Sequence, residues 1–99
     1  MKKTFVGSVE LYEKTFHCVS VPIEFWEELS NLNRVNRGLL EVKITIGSSC
    51  SKTWPMETDD GTPIFLIHHR VISKEKISLG TKIEVSFETR IRDINKLMS

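Results

Sequence analysis

The sequence predicts a mainly β protein: a closed or partly closed barrel of about six strands with one short α-helix capping an end. Three observations carry this. Leu40, Val42, Ile44 and Ile46 alternate with Glu41, Lys43 and Thr45, the period of two that a half-buried strand requires. Ile83, Val85 and Phe87 alternate in the same way with Lys82, Glu84, Ser86 and Glu88. A segment after Pro22 has helical period instead, with Phe25, Trp26, Leu29 and Leu32 on one side and Glu24, Glu27 and Glu28 opposite.

The remaining elements follow in order. Residues 4–13 read as a strand, with Phe5, Val9 and Leu11 on one face and Ser8 and Glu10 on the other. Gly7 marks a bulge or a point of close approach. Glu13-Lys14 is the expected turn into a second strand at 15–21, rich in β-branched and aromatic residues. Pro22 suits the first helical position, where its missing N–H costs nothing, and Glu24 complements the helix dipole. The Asn-rich run 31–36 ends that helix, and Gly38 restarts the chain into the strand at 39–46. Residues 47–51, Gly-Ser-Ser-Cys-Ser, have the composition of a loop. All of 47–60 lacks a clear strand pattern, and Asp59-Asp60-Gly61 is a strong turn signal.

Residues 63–88 organise the rest as a strand, a short helical turn, a Leu79-Gly80 corner and a second strand. In the first strand Ile64 and Leu66 point one way and Phe65 and Ile67 the other, so it is central or its second face meets a partner. That cover is the helix at 22–32 or, in a homodimer, a second subunit. Ser73 is placed to cap the helical turn, and Gly80 suits a positive φ at its end. Beyond Glu88, Ile91, Ile94 and Leu97 have helical spacing. Residues 90–99 are therefore a charged tail, either a short packed helix or frayed.

The 99 residues form a single domain, 1–99, long enough to bury one real core without staples. Fourteen basic and 13 acidic residues leave a net charge of +1, which gives no support to polyanion binding by bulk charge. The hydrophobic content of 39% excludes general disorder. No window approaches the ~20 apolar residues of a membrane-spanning helix. The N-terminus alternates with Glu10 and Glu13 instead of forming a signal-peptide core. A cytoplasmic, reducing location with both thiols unpaired is the expectation, with no membrane partner.

The chemistry-bearing residues lack an enzyme signature. His17, Cys18, Cys50, His68 and His69 are metal-ligand types, yet none has structural-zinc spacing. His68 and His69, adjacent on a strand, would face opposite ways, so neither a metal nor a cofactor is expected. A Cys50 nucleophile paired with His68 or His69 lacks a nucleophile elbow or oxyanion loop, which places a small Cys/His hydrolase last among the readings. Trp26 belongs to the apolar helix face. Trp54 either closes the barrel end as a lid or lines a pocket. In a pocket, Trp54 supplies a stacking plane, Ser49 and Ser51 supply hydroxyls and Lys52 supplies a charge, a set suited to a small polar ligand or a nucleotide base. His68, His69, Arg70 and Lys74, with Lys52, are candidates for a basic surface; the competing reading is a solvated strand end interrupted by Glu75, Glu84 and Glu88.

The ordered set Val21-Pro22, Arg37-Gly38, Leu40-x-Val42-x-Ile44, Pro55-Met56, Gly61, Phe65-Leu66 and Leu79-Gly80-Thr81-x-Ile83-x-Val85 resembles a small microbial double-split β-barrel family of unknown function, over about residues 5–88. Its members occur alone or ahead of a bacteriocin-protection-type domain. The resemblance therefore implies a double-split barrel and association with such a domain, and no activity. The glycine corner is also similar to that of DNA-binding barrels of the antitoxin and transition-state-regulator type. Two departures stand out. The corner usually carries Gly-Asp where this chain has Gly80-Thr81. A basic residue often follows the valine at position 71, whereas Ile72 and Ser73 here precede Lys74. The resulting reading is a non-enzymatic binding or interaction module of unknown ligand; the alternative is a nucleic-acid-binding barrel.

Overall fold

The computed structural model describes residues 1–37 and 40–91. Seven antiparallel strands curl into one half-barrel sheet. In chain order the elements are β1 (Lys2–Tyr12), β2 (Phe16–Ser20), α1 (Ile23–Val35), β3 (Leu40–Ile46), β4 (Ser49–Thr53), β5 (Pro55–Glu57), β6 (Pro63–Leu66), α2 (His69–Lys74) and β7 (Lys82–Ile91). The strand order is β4-β3-β7-β1-β2-β6-β5. Its two ends, β4 and β5, are consecutive in the chain and separated by Trp54 alone, so one bent segment forms both edges. The Thr53 hydroxyl donates to the Leu66 carbonyl on β6 at 2.9 Å, bringing the end of β4 to the far side of the sheet.

β1 is long enough to serve two partners. Its first part, from Lys2 to Ser8, pairs with β7, and its last part, from Val9 to Tyr12, pairs with β2. At the changeover a Cβ on Gly7 would lie 2.4 Å from Val19 Cγ2. Gly7 pairs regularly with Ile83, so it is a point of close approach and not a bulge. The glycine corner closes on the same spot: the Val9 N–H donates to the Thr81 carbonyl at 3.0 Å and the Gly80 N–H to the Val9 carbonyl at 2.8 Å.

The core is built as the alternation demands. All inward positions of β3 are buried, as are Val85 and Phe87 on β7. Phe5, Phe25, Phe65 and Phe87 form one ring cluster with centroids 5.3 to 6.3 Å apart. α1 enters this core through fully buried Leu29, flanked by half-buried Phe25, Trp26 and Leu32.

The structure corrects several expectations. Residues 47–51 are not a loop: Gly47 and Ser48 make a two-residue turn, and Ser49 begins β4 opposite Ile46. The inward, buried positions of β4 are Ser49 and Thr53, so its core face is made of hydroxyls and shows no hydrophobic alternation. The 47–60 stretch thus supplies two strands, giving seven in place of about six. α1 begins at Ile23 with Pro22 as its cap, and runs through the Asn-rich segment to Val35. There Asn31 Oδ1 accepts from Arg34 at 2.7 Å, and Asn36 Nδ2 donates to the Leu32 carbonyl at 2.8 Å. The side chains thus support the helix end instead of breaking it early. The cap of α2 is His68, whose Nδ1 accepts from the Arg70 N–H at 3.1 Å; Ser73 lies in the last turn. α2 ends at Lys74 with Glu75 as its cap, and the positive φ that follows it is that of Lys76, +53°, while Gly80, with φ +82°, belongs to the corner beyond. Leu11 is 41% exposed, because the β1–β2 hairpin projects past the core. Ile64 and Cys18 are buried within the single chain, beside Tyr12 and the Thr58–Thr62 turn. On the other face of β6, Phe65 and Ile67 share the core with Leu29 of α1. Arg90 and Ile91 are the last residues of β7 and not the start of a tail. The expectations for Gly38, Leu39, Ile94 and Leu97 fall outside the described residues. Among the described residues no helix is long and apolar enough to cross a membrane.

Candidate ligand-binding site

The site forms where β2, the β4–β5 bend and the start of α2 meet. The Ile67 N–H donates to the His17 carbonyl at 2.9 Å, which continues the β2–β6 pairing by one residue and sets His68 beside β2. His68 then caps α2 and His69 opens it. Their rings stack, with centroids 4.3 Å apart and planes at 29°. The expectation that they face opposite ways fails because the strand ends at Leu66; two residues at a helix start follow a helix's geometry. Trp54 precedes Pro55, which favours extended backbone at the bend.

These elements line a groove of about 310 Å³ shared by Phe16, His17, Lys52, Trp54, His68 and His69. All three histidines of the chain are in that set. Trp54 is 56% exposed and Phe16 is 50% exposed. With more than half its surface open, Trp54 lines the groove.

The predicted site residues therefore divide. Trp54, Lys52, His68 and His69 come together in the groove. Arg70 leaves them for an adjacent cleft of about 380 Å³, which it lines with Lys43, Ser51, Lys52 and Arg90. Lys74 lines a further depression with Ser49 and Arg70. Ser49 is buried, and its hydroxyl donates to Glu75 at 2.6 Å. The Ser49, Ser48 N–H and Ser48 hydroxyl hydrogen bonds hold the Glu75 carboxyl below its ordinary range, Ser49 contributing most and desolvation opposing them. Ser51 Oγ is buried with no hydrogen-bond partner among the described residues.

Both cysteines are free thiols. Cys18 is buried, and burial first, then Glu10, pushes its pKa up. Cys50 is exposed, 3.4 Å from the Thr45 hydroxyl. It lines the cleft, while His68 and His69 line the groove. Asp60 accepts from the Thr58 and Thr62 hydroxyls, the turn-forming role its sequence context indicates. Among the described residues no group of three or more His, Cys, Asp or Glu is placed to hold a metal ion.

Phe16 and His17 are the groove-lining residues that the sequence pattern misses. They read as ordinary strand residues, and only the β2–β6 pairing brings them opposite His68. A comparison with curated proteins finds no match. The family model for the domain of unknown function DUF1905 matches residues 5–87, from Phe5 on β1 to Phe87 on β7. The chain belongs to the DUF1905 family.

Proposed function

We propose that the chain is a non-enzymatic binding module that takes a planar, unsaturated ligand in the groove of Trp54. One observation carries this reading: two half-exposed aromatic side chains, Trp54 and Phe16, share a depression with three imidazoles and one ammonium group. Large rings left in water forgo hydrophobic stabilisation, so their clustering in a concave site points to use. Flat aromatic faces beside groups that donate and accept hydrogen bonds are the chemistry that recognises a heterocycle. The volume falls at the small end of the ~300–1,000 Å³ usual for small-molecule pockets. Binding without turnover is supported by the sequence, in which neither Cys50 nor a histidine carries a nucleophile-elbow or oxyanion-loop motif. The nucleic-acid alternative finds less support, since a net charge of +1 gives no attraction to a polyanion by bulk charge.

The test is a panel of planar heterocycles (nucleosides, flavins, indoles) followed by amide chemical shifts. A binder should perturb Phe16, Trp54 and His69, and Trp54→Ala should abolish the effect without unfolding the protein. Perturbation elsewhere only, or undiminished binding by Trp54→Ala, would overturn the reading.

A further inference from the structure

Across Lys52 from the groove lies the cleft of about 380 Å³ on which Lys43, Lys52, Arg70 and Arg90 converge from β3, β4, α2 and β7. We propose that this cleft is an oxyanion site for the phosphate of the ligand whose planar part occupies the groove, which makes that ligand a nucleoside phosphate. The planar half of this assignment rests on the groove reading; the oxyanion half does not.

The register supplies the first argument. Lys43 and Lys52 are direct cross-strand partners, and like charges placed opposite each other destabilise a sheet. Both side chains are on the solvent face, so packing does not require them. Glu41 is the one acid lining the cleft. Its carboxylate is 3.8 Å from Lys52 Nζ, and Glu88 is 4.0 Å from Lys43 Nζ. Both contacts are at the long end of an ion pair and both lysine side chains are open to water, Lys52 at 71% exposure against 16% for Glu41, so each ammonium group can turn to a doubly charged phosphate.

The arginines supply the second. Neither Arg70 nor Arg90 has a carboxylate partner among the described residues. A guanidinium offers two parallel donors matched to phosphate oxygens. Ser51 supplies the third: a buried hydroxyl without a partner among the described residues, on a residue that lines the same cleft. Buried polar atoms in native proteins are nearly always satisfied, and a phosphate oxygen would accept from this one. Finally, the two depressions are neighbours that share Lys52. Consecutive residues of one short helix deliver His69 to the groove and Arg70 to the cleft.

The experiment titrates inorganic phosphate, adenosine and adenosine 5′-monophosphate into the full chain, read by amide chemical shifts and calorimetry. Inorganic phosphate should shift the resonances of Lys43, Ser51, Lys52 and Arg70. The monophosphate should bind about tenfold more tightly than adenosine, a gap that added salt narrows, as expected for charge-assisted contacts. Arg70→Gln and Lys43→Gln together should close the gap while leaving adenosine binding and the melting temperature as they were. Equal affinities for nucleoside and monophosphate, with the cleft resonances unmoved by phosphate, would overturn the oxyanion site and leave the groove reading standing. Phosphate bound in the cleft, with no nucleoside or nucleotide touching Trp54, would instead retire the groove reading and the nucleotide assignment and uphold the oxyanion site.

Discussion

The Ser49 hydroxyl donates a 2.6 Å hydrogen bond to the Glu75 carboxylate, and Ser48 adds its hydroxyl at 3.3 Å and its N–H at 3.4 Å. One carboxylate at the end of α2 thus pins the β3–β4 turn. Because α2 also carries His69 and Arg70, the same clamp fixes the site to the barrel.

This clamp sets a pH dependence. The Ser49 bond, aided by Ser48, lowers the folded-state pKa of Glu75 below its ordinary value. A depressed carboxyl contributes stability that is complete above the unfolded pKa and is lost as pH falls through the folded one. Glu75→Gln should therefore lower the urea midpoint at neutral pH, and the difference from the parent should shrink on acidification below the ordinary Glu range. A gap that stays constant down to strong acid would remove the carboxylate from this role.

Gly47 meets the same group. Its φ is +60°, and a Cβ there would lie 2.0 Å from Glu75 Oε1. Gly47→Ala should cost about 1–2 kcal/mol from left-handed backbone strain alone, and more from displacing the carboxylate. In a Glu75→Ala background only the strain should remain. The double-mutant cycle should show a coupling of roughly 0.5–3 kcal/mol; strict additivity would mean that the clamp tolerates the methyl.

Residues whose role is apolar were legible in the sequence. The alternation along β3 and β7, and the helical stripe of Phe25, Leu29 and Leu32, identify the core correctly because burial of apolar surface is what fixes their facing. The failures share a cause: polar side chains performing a structural task. β4 buries Ser49 and Thr53 and resembles a loop. The Asn-rich end of α1 resembles a terminator yet caps the helix with its amides. Half of the groove was visible in Trp54, Lys52, His68 and His69. Phe16 and His17 reach it through β2–β6 pairing, which no local period encodes.

The centre of that legible core should dominate stability. Phe65 is fully buried and packs against Phe5 and Phe87. Phe65→Ala should cost about 3–5 kcal/mol, whereas Lys82→Ala, on the exposed face of β7, should stay within ~0.5 kcal/mol. Urea melts of these variants and of Val85→Ala compare them, and equal losses at positions 82 and 85 would mean that β7 faces the other way.

Two lysines occupy left-handed backbone, Lys14 in the β1–β2 turn with φ +59° and Lys76 after α2 with φ +53°. Glycine adopts this region without the Cβ penalty. Lys14→Gly and Lys76→Gly should each raise stability by about 0.5–1 kcal/mol, the surplus of strain relief over unfolded-state entropy. A fall at either position in thermal melts would show that the lysine side chain holds the turn.

Trp54 offers the sharpest separation between a structural and a binding role. A tryptophan that closes a core loses about 3–5 kcal/mol on truncation to alanine, because a cavity is left behind. Trp54 keeps 56% of its surface in water, and its backbone at the β4–β5 bend is already biased to be extended by Pro55. Trp54→Ala should therefore cost about 1 kcal/mol or less, near the range of surface substitutions. Trp26 is the internal control. It packs on the core, and its Nε1 donates to Glu57 at 3.2 Å. Trp26→Ala should destabilise by at least about 2 kcal/mol, losing both burial and that hydrogen bond. Fluorescence sorts the two indoles again: the single-tryptophan protein that retains Trp54 should be quenched readily by acrylamide, and the one that retains Trp26 much less. If Trp54→Ala instead loses as much stability as Trp26→Ala, the indole is holding the bend together, and the exposed aromatic face on which the binding groove depends has a sufficient structural explanation.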